Sequence, residues 1–393
     1  MSSRRPKAYP LDATRARAMA LQAQGLRGDA PYGRGIDGAR RALEHLGYVQ
    51  IDTIAVVERA HHHVWWSRVP DYRPEWTDEL VLTGGAYEYW SHAASYLPMR
   101  DFRYSLPRMR HHAKELHWAE DSPELQRALK RVRRIISDRG PVRARDFEEG
   151  EPTRKGAWGS GKIERRALHE LWMRGVLMIA SRGGFEKYYD LRERVLPPGV
   201  DVSLPRPNEV ADFLIHRTLR AHGLAREAEM HYMQRGAFAA TIRERLARAV
   251  KRGEIVAVQV ESSSKPAYAY PAALEEALPE ASTAARVLSP FDNAVIQRER
   301  LRWLFGFDYQ IECYVPAPKR RYGHFTLPVL WGDRFAARLE AKAHRAKSTL
   351  EVTRIWPEPG FEKNTTLRQA LREELEKFAT FNGCAHLTGP AIS

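Results

Sequence analysis

Along this chain, apolar residues recur at helical spacing, break at a glycine, and then alternate as on a strand, and the pattern occurs three times. In the first instance Ile36, Ala39, Leu43 and Leu46 mark one helix face, Gly47 stops the helix, and Tyr48-Val49-Gln50-Ile51-Asp52-Thr53-Ile54 follows as a β-branched strand. On that strand Val49, Ile51 and Thr53 share one side, and Gln50 and Asp52 share the other. The second instance is Ile163–Arg174, with Leu168, Leu171 and Trp172 on one side, then Gly175 and Val176–Ala180. A turn at Ser181–Gly184 leads there into Phe185–Leu191, a hairpin. In the third, Ile242, Leu246, Ala249 and Val250 line Thr241–Arg252, and Gly253, Glu254–Val260, the turn Ser262–Ser264 and Ala267–Tyr270 follow.

The second and third instances carry further amphipathic helices upstream, at Leu125–Ile136 and Val210–Leu219. Helices followed by a basic helix and a two-stranded wing are the pattern of a winged helix, although adaptor domains that bind no nucleic acid use it too. From about Arg286 the pattern changes. Cys313–Pro318, Tyr322–Leu330, Phe335–Ala343 and Thr349–Ile355 read as strands. Lys319, Arg320, Arg321 and Tyr322 would sit at the tip of a basic hairpin, either entering a groove or simply solubilising a loop. A last helix, N-capped by Thr365 or Thr366, buries Leu367, Leu371, Leu375 and Phe378 and stops before Gly383. The expected fold class is α+β, with three tandem winged helices (1–122, 123–205 and 206–285) and a C-terminal β-barrel-like domain with a closing helix (286–393). Pro-containing stretches at Leu196–Pro207 and Tyr270–Pro279 read as linkers.

Charge adds a partner class. The chain of 393 residues has 63 Lys and Arg against 49 Asp and Glu, a net +14, which favours an anionic partner, with nucleic acid ahead of a membrane surface. Arg127, Lys130, Arg131, Arg133 and Arg134 cluster in one helix, Lys162, Arg165 and Arg166 open another, and Arg243, Arg245, Arg248, Lys251 and Arg252 stud a third. Each set is either a solvated face or part of a phosphate-tracking surface. No apolar run reaches membrane-spanning length, and the basic Met1–Pro10 is not followed by the apolar core of a secretory signal. With only Cys313 and Cys384, a disulfide framework is excluded, and a reduced cytoplasm is expected.

Candidate chemistry is sparse. Neighbouring His61, His62 and His63 would point to opposite sides of a strand and have no acidic or Cys companion, so no metal site is expected. Asp292 and Glu340 are too dispersed for a two-metal nuclease. Tyr89-Trp90-Ser91-His92 and Trp65-Trp66 supply aromatic bulk that most often belongs to a core. Gln50 and Asp52 form either the wet side of a half-buried strand or an amide and carboxylate about 7 Å apart that share a water.

Several stretches together resemble one family over nearly the whole chain. They are Leu46–Ile54, Glu88–Pro98 (EYWSHAASYLP), Val287–Asp292 (VLSPFD), Ile311–Phe325 (IECYVPAPKRRYGHF) and Leu339–Arg345 (LEAKAHR). They are similar to the YcaQ/AlkZ winged-helix DNA glycosylases, in particular the YcaQ (AlkX) branch. The resemblance implies that Gln50-Ile51-Asp52 is the catalytic QΦD motif, and that Tyr89, Trp90 and His92 support the site. Where the family pattern carries His-Glu-Ala, this chain has His92-Ala93-Ala94.

The resemblance further implies excision of N7-alkylated guanine and unhooking of interstrand crosslinks, without cofactor or metal. Alkylation at N7 makes guanine a cationic leaving group, so Asp52 need only steer water and offset charge at the sugar, with Gln50 holding the water. No lysine adjoins the motif to form a Schiff base, so a monofunctional enzyme without lyase action is expected. Double-stranded DNA is the expected partner, Lys162, Arg165, Arg166 and Lys319–Tyr322 the expected contacts, and a monomer the expected state. The competing expectation is a winged-helix regulator that binds DNA without chemistry.

Overall fold

The helix Gly35–Leu46 ends at Gly47, whose φ is 79° and whose N–H reaches the Leu43 carbonyl at 2.8 Å. A Cβ there would come within 2.6 Å of Cγ and Cδ of Arg217, so both conformation and space call for glycine. Gly175 and Gly253, after the helices Ser160–Met173 and Gly236–Lys251, also have positive φ, 67° and 75°. The strand after Gly47 is shorter than its composition predicts, only Val49–Gln50. The Asp52 side chain accepts the Ile54 N–H at 2.8 Å, and this local bond takes a donor that a continuing strand needs. Val49 and Gln50 are both buried, so the expected wet side is closed at Gln50.

These features belong to a computed structural model that describes residues 8–115, 122–147, 160–232, 236–261 and 263–389. Ser262 and the Lys162 side chain lie outside the described residues. The chain divides into two compact units, Met1–Arg73 with Pro207–Ser393, and Pro74–Arg206.

The Pro74–Arg206 unit holds the hairpin Ala86–Trp90 with Ala94–Pro98, the helices Pro123–Arg139 and Ser160–Met173, and the two-stranded wing-like hairpin Leu177–Gly183 with Glu186–Leu191. Leu125, Val132 and Ile136 pack on Leu168 and Leu171, which the helical spacing singles out, and on Leu177 of the following strand. Glu88 of the hairpin and Arg182 of the wing form a bidentate ion pair at 2.5 and 2.8 Å, both side chains being buried.

In the other unit, Tyr9–Leu11, Val256–Val260, Ala267–Ala269 and Leu224–Ala225 form a four-stranded sheet in that order. A second, curled sheet of five strands runs Ala285–Val287, Thr326–Trp331, Arg334–His344, Thr349–Pro357, His386–Thr388, with bulges at Val329/Leu330 and Glu340/Ala341. The helix Thr365–Phe381 closes one of its faces through Leu371, Leu375 and Phe378. Its cap is Asn364, which accepts the Leu367 N–H at 2.8 Å, so the expected Thr365 and Thr366 fall inside the first turn. Cys313–Pro318 is not a strand, and Tyr322–Phe325 precedes the first long one, so the basic run lies in a loop with a short 3₁₀ turn at Ala317–Lys319. His61, His62 and His63 lie in a helix, Ala60–Trp66, rather than on a strand.

One buried pair ties this unit together. Arg68 donates to both Asp292 oxygens, at 2.7 and 2.8 Å, with neither side chain exposed. Arg68 also donates to the carbonyls of Gln24 and Val64, and Asp292 accepts the Ala294 N–H at 2.8 Å. Next to it, Asn293 donates to the Tyr48 carbonyl at 3.0 Å and so fixes the chain just before Val49 and Gln50. Asp292→Ala is expected to strand the guanidinium and cost about 3–5 kcal/mol, measured as a lower urea midpoint. Replacing both partners with apolar residues of matching volume should recover much of that loss.

Candidate active site

Asp52 stands at the end of the short strand, half-buried, with one carboxylate oxygen turned back on Ile54. Burial pushes its pKa above the ordinary carboxylate range, and the Ile54 N–H only partly offsets this. Such a carboxylate is a stronger base than a solvated one while remaining open to a water molecule. Gln50, two residues earlier, is 8% exposed.

The segment after Asp52 is docked on the curled sheet. Ile54 and Val56 pack against the core that includes Leu327, Leu339 and Leu350. Ala343 donates its N–H to the Val56 carbonyl at 3.0 Å, and Arg345 reaches Glu58 at 3.3 Å. Both anchors come from the LEAKAHR stretch, whose part is thus to hold the segment that carries Asp52.

The second wall is the 311–325 loop, whose Ile311 packs on the same core. Glu312 organises it by accepting the N–H groups of Arg321, Tyr322 and Gly323 at 2.9, 2.7 and 3.0 Å. Burial pushes the Glu312 pKa up, but those three donors outweigh it and hold the carboxyl below its usual range. Glu340 accepts the next donor, His324 N–H, at 3.1 Å. Cys313 and Tyr314 come close enough to Asp52 to feel its charge: the Cys313 thiol is raised by burial and then by Asp52, and the Tyr314 hydroxyl by Cys313, by burial and then by Asp52. Composition gave no signal for Glu312, Cys313 or Tyr314; their only mark is membership of the IECYVPAPKRRYGHF stretch.

The sequence candidates divide between the units. Gln50, Asp52, Lys319, Arg320, Arg321 and Tyr322 lie in the unit with the curled sheet, and Tyr89, Trp90, His92, Arg165 and Arg166 in Pro74–Arg206. Tyr89 is interior to its unit: 1% exposed, it donates to the Met173 carbonyl at 2.6 Å. Trp90 and His92 are partly exposed on the hairpin, and Arg165 and Arg166 are exposed. Tyr322 is clamped between Arg338, 4.1 Å from its ring centre, and the edge of Trp356.

The basic residues are unequally neutralised. On the helix Gly236–Lys251 and just after it, Arg243 pairs with Glu227, Arg245 with Asp212, Arg248 with Glu244 and Arg252 with Glu254. Lys319 and Arg321 are exposed and have no carboxylate partner among the described residues. His63 is equally committed: its ring reaches the Val287 carbonyl at 2.8 Å, and burial lowers its pKa to about 4. No His, Cys, Asp and Glu grouping fit for a metal ion occurs among the described residues.

The sequence profile named "DNA glycosylase AlkZ-like" matches residues 43–381. The chain belongs to the AlkZ-like DNA glycosylase family. The AlkZ-like match takes in Gln50, Asp52, the Arg68–Asp292 pair and the whole 311–325 loop. The solved DNA glycosylase AlkZ of Streptomyces sahachiroi shares the fold, with a TM-score of 0.62 and 18% identity over 97% of this chain and 100% of that one. The protein is thus a DNA repair glycosylase, a hydrolase of N-glycosyl bonds with DNA as its substrate.

The nearness of Asp52 and Cys313 has a direct readout. In Asp52→Asn the Cys313 thiol loses a repelling charge, so its alkylation by iodoacetamide near neutral pH should speed up. Buried Cys384 serves as the internal reference. An unchanged Cys313 rate would separate the two groups.

Proposed function

We propose that this glycosylase removes N7-alkylated guanine, including crosslinked guanine, through the QΦD motif Gln50-Ile51-Asp52 of the YcaQ branch. The observation that carries the proposal is a half-buried carboxylate of raised pKa between a buried amide and a cationic loop. N7-alkylguanine carries its own positive charge, so it departs without a general acid. What remains is a water to deprotonate and an oxocarbenium-like sugar to stabilise, and one carboxylate serves both needs. Gln50, with a donor and an acceptor on one amide, would orient that water.

The chain has no lysine between Lys7 and Lys114, hence none beside the motif in sequence, and this supports reading the enzyme as monofunctional. Lys319 and Arg321 supply phosphate contacts on duplex DNA, with Arg320, Tyr322, Lys162, Arg165 and Arg166 as further contacts; Trp90 and His92 are the supporting residues that the resemblance implies, and the buried Tyr89 serves only to steady the hairpin that carries them. The three helix–glycine–strand instances are read as tandem winged helices in a monomer acting in the cytoplasm, at the nucleoid.

The test is metal-free incubation with duplex carrying a defined N7-alkylguanine, followed by alkaline cleavage. Asp52→Asn should lower excision by roughly 10²–10⁴-fold while duplex binding persists. In the wild type, kcat/KM should fall as pH drops through a value above the ordinary carboxylate range, because protonated Asp52 cannot accept the proton. That limb should vanish in the residual activity of Asp52→Asn. Separately, Lys319→Ala and Arg321→Ala should each weaken binding to all duplexes alike, and each should reduce the log–log salt slope by about 1.

A further inference from the structure

Tyr314 is the most exposed large apolar side chain among the described residues, at 81%, and Ile311 seats its loop on the core that Ile54, two residues after Asp52, also packs against. Such exposure is ordinary for a floppy loop, but this loop is well tied. Besides the three N–H groups on Glu312, Val315 N–H reaches the Glu312 carbonyl at 2.9 Å, Arg320 Nε the Val315 carbonyl at 2.8 Å, and Lys319 N–H the Pro316 carbonyl at 2.9 Å. Pro316 and Pro318 stiffen it further. An ordered loop that holds a flat aromatic ring in water, and that also carries the exposed Lys319 and Arg321, which have no carboxylate partner among the described residues, is built for a partner with a flat face of its own.

We propose that Tyr314 is a positioning residue whose ring stacks in the gap left when the damaged base pair opens, and so keeps the sugar carbon over Asp52. This rests on the glycosylase reading above and adds to it the residue that secures the opened step. Insertion between base steps works through ring area, and stacking is indifferent to base identity. The phenol hydroxyl is therefore not needed for it. The loop already makes its phosphate contacts on closed DNA, and the ring acts only once the stack is broken.

The experiment measures kcat and KM for N7-alkylguanine excision by the wild type, Tyr314→Ala and Tyr314→Phe. Each is tested on a normally paired duplex and on one with an abasic analogue opposite the lesion, where the stack is already weakened. Tyr314→Ala should lose roughly 10- to 100-fold in kcat/KM on the paired duplex, Tyr314→Phe should keep the wild-type value, and affinity for undamaged duplex should be unchanged. On the abasic-opposed duplex the gap between Tyr314→Ala and the wild type should close. An equal loss on both duplexes, a loss in Tyr314→Phe, or no loss in Tyr314→Ala overturns the stacking role while leaving the glycosylase reading intact. No product from the wild type on either duplex overturns the glycosylase reading itself.

Discussion

The site depends on an ion pair that never meets substrate. Arg68 and Asp292 face each other in the interior with both ends of the fork filled, and the backbone around them is drawn into the same network. Burying two charges is unfavourable unless their remaining hydrogen-bonding positions are used, and here the Gln24, Val64 and Ala294 backbone groups use them. The arrangement fixes where Asn293 lies, Asn293 fixes Tyr48, and the short strand that leads to Asp52 begins at the next residue. A rigid support of this kind is what a carboxylate needs if it is to aim one water at one carbon.

The charges of the site are sorted by depth. Glu312 and Glu340 turn inward onto a run of backbone N–H groups, while Lys319 and Arg321 from the same loop face solvent. The loop is thus held from within by anions and presents cations outward. Asp52 sits behind it with little competing positive charge to lower its pKa, so burial dominates. A guanidinium beside Asp52 would have made it a weaker base.

Much of the scaffold was legible in the chain. The helical stripes ending at Gly47, Gly175 and Gly253 appear as helices with left-handed ends, and Leu367, Leu371, Leu375 and Phe378 face the core as their spacing requires. What misled was side chains competing for backbone donors. Asp52 ended a strand that looked longer, and Glu312 gathered N–H groups that a Cys313–Pro318 hairpin would have paired. Period-two alternation cannot reveal such capture, because the acceptor in the loop is nine to eleven residues from its donors. Asp292 looked isolated for the same reason: its partner is 224 residues away. At the terminal helix the cap is Asn364 and not Thr365 or Thr366, in line with the stronger N-cap preference of asparagine. Of the site, Gln50 and Asp52 stand out by residue type, whereas the loop beside Asp52 is marked only by its basic run and by the IECYVPAPKRRYGHF resemblance.

The unit that carries Asp52 is discontinuous, with Pro74–Arg206 inserted between its two parts. Val56 is bonded by Ala343, Glu58 by Arg345 and Tyr48 by Asn293, so part of what holds this early segment is made more than 200 residues later. Synthesis must therefore pass Arg345 before the segment around Asp52 has all of these anchors. Shorter nascent chains carry Asp52 without these anchors, and contacts so far apart in sequence are slow to close.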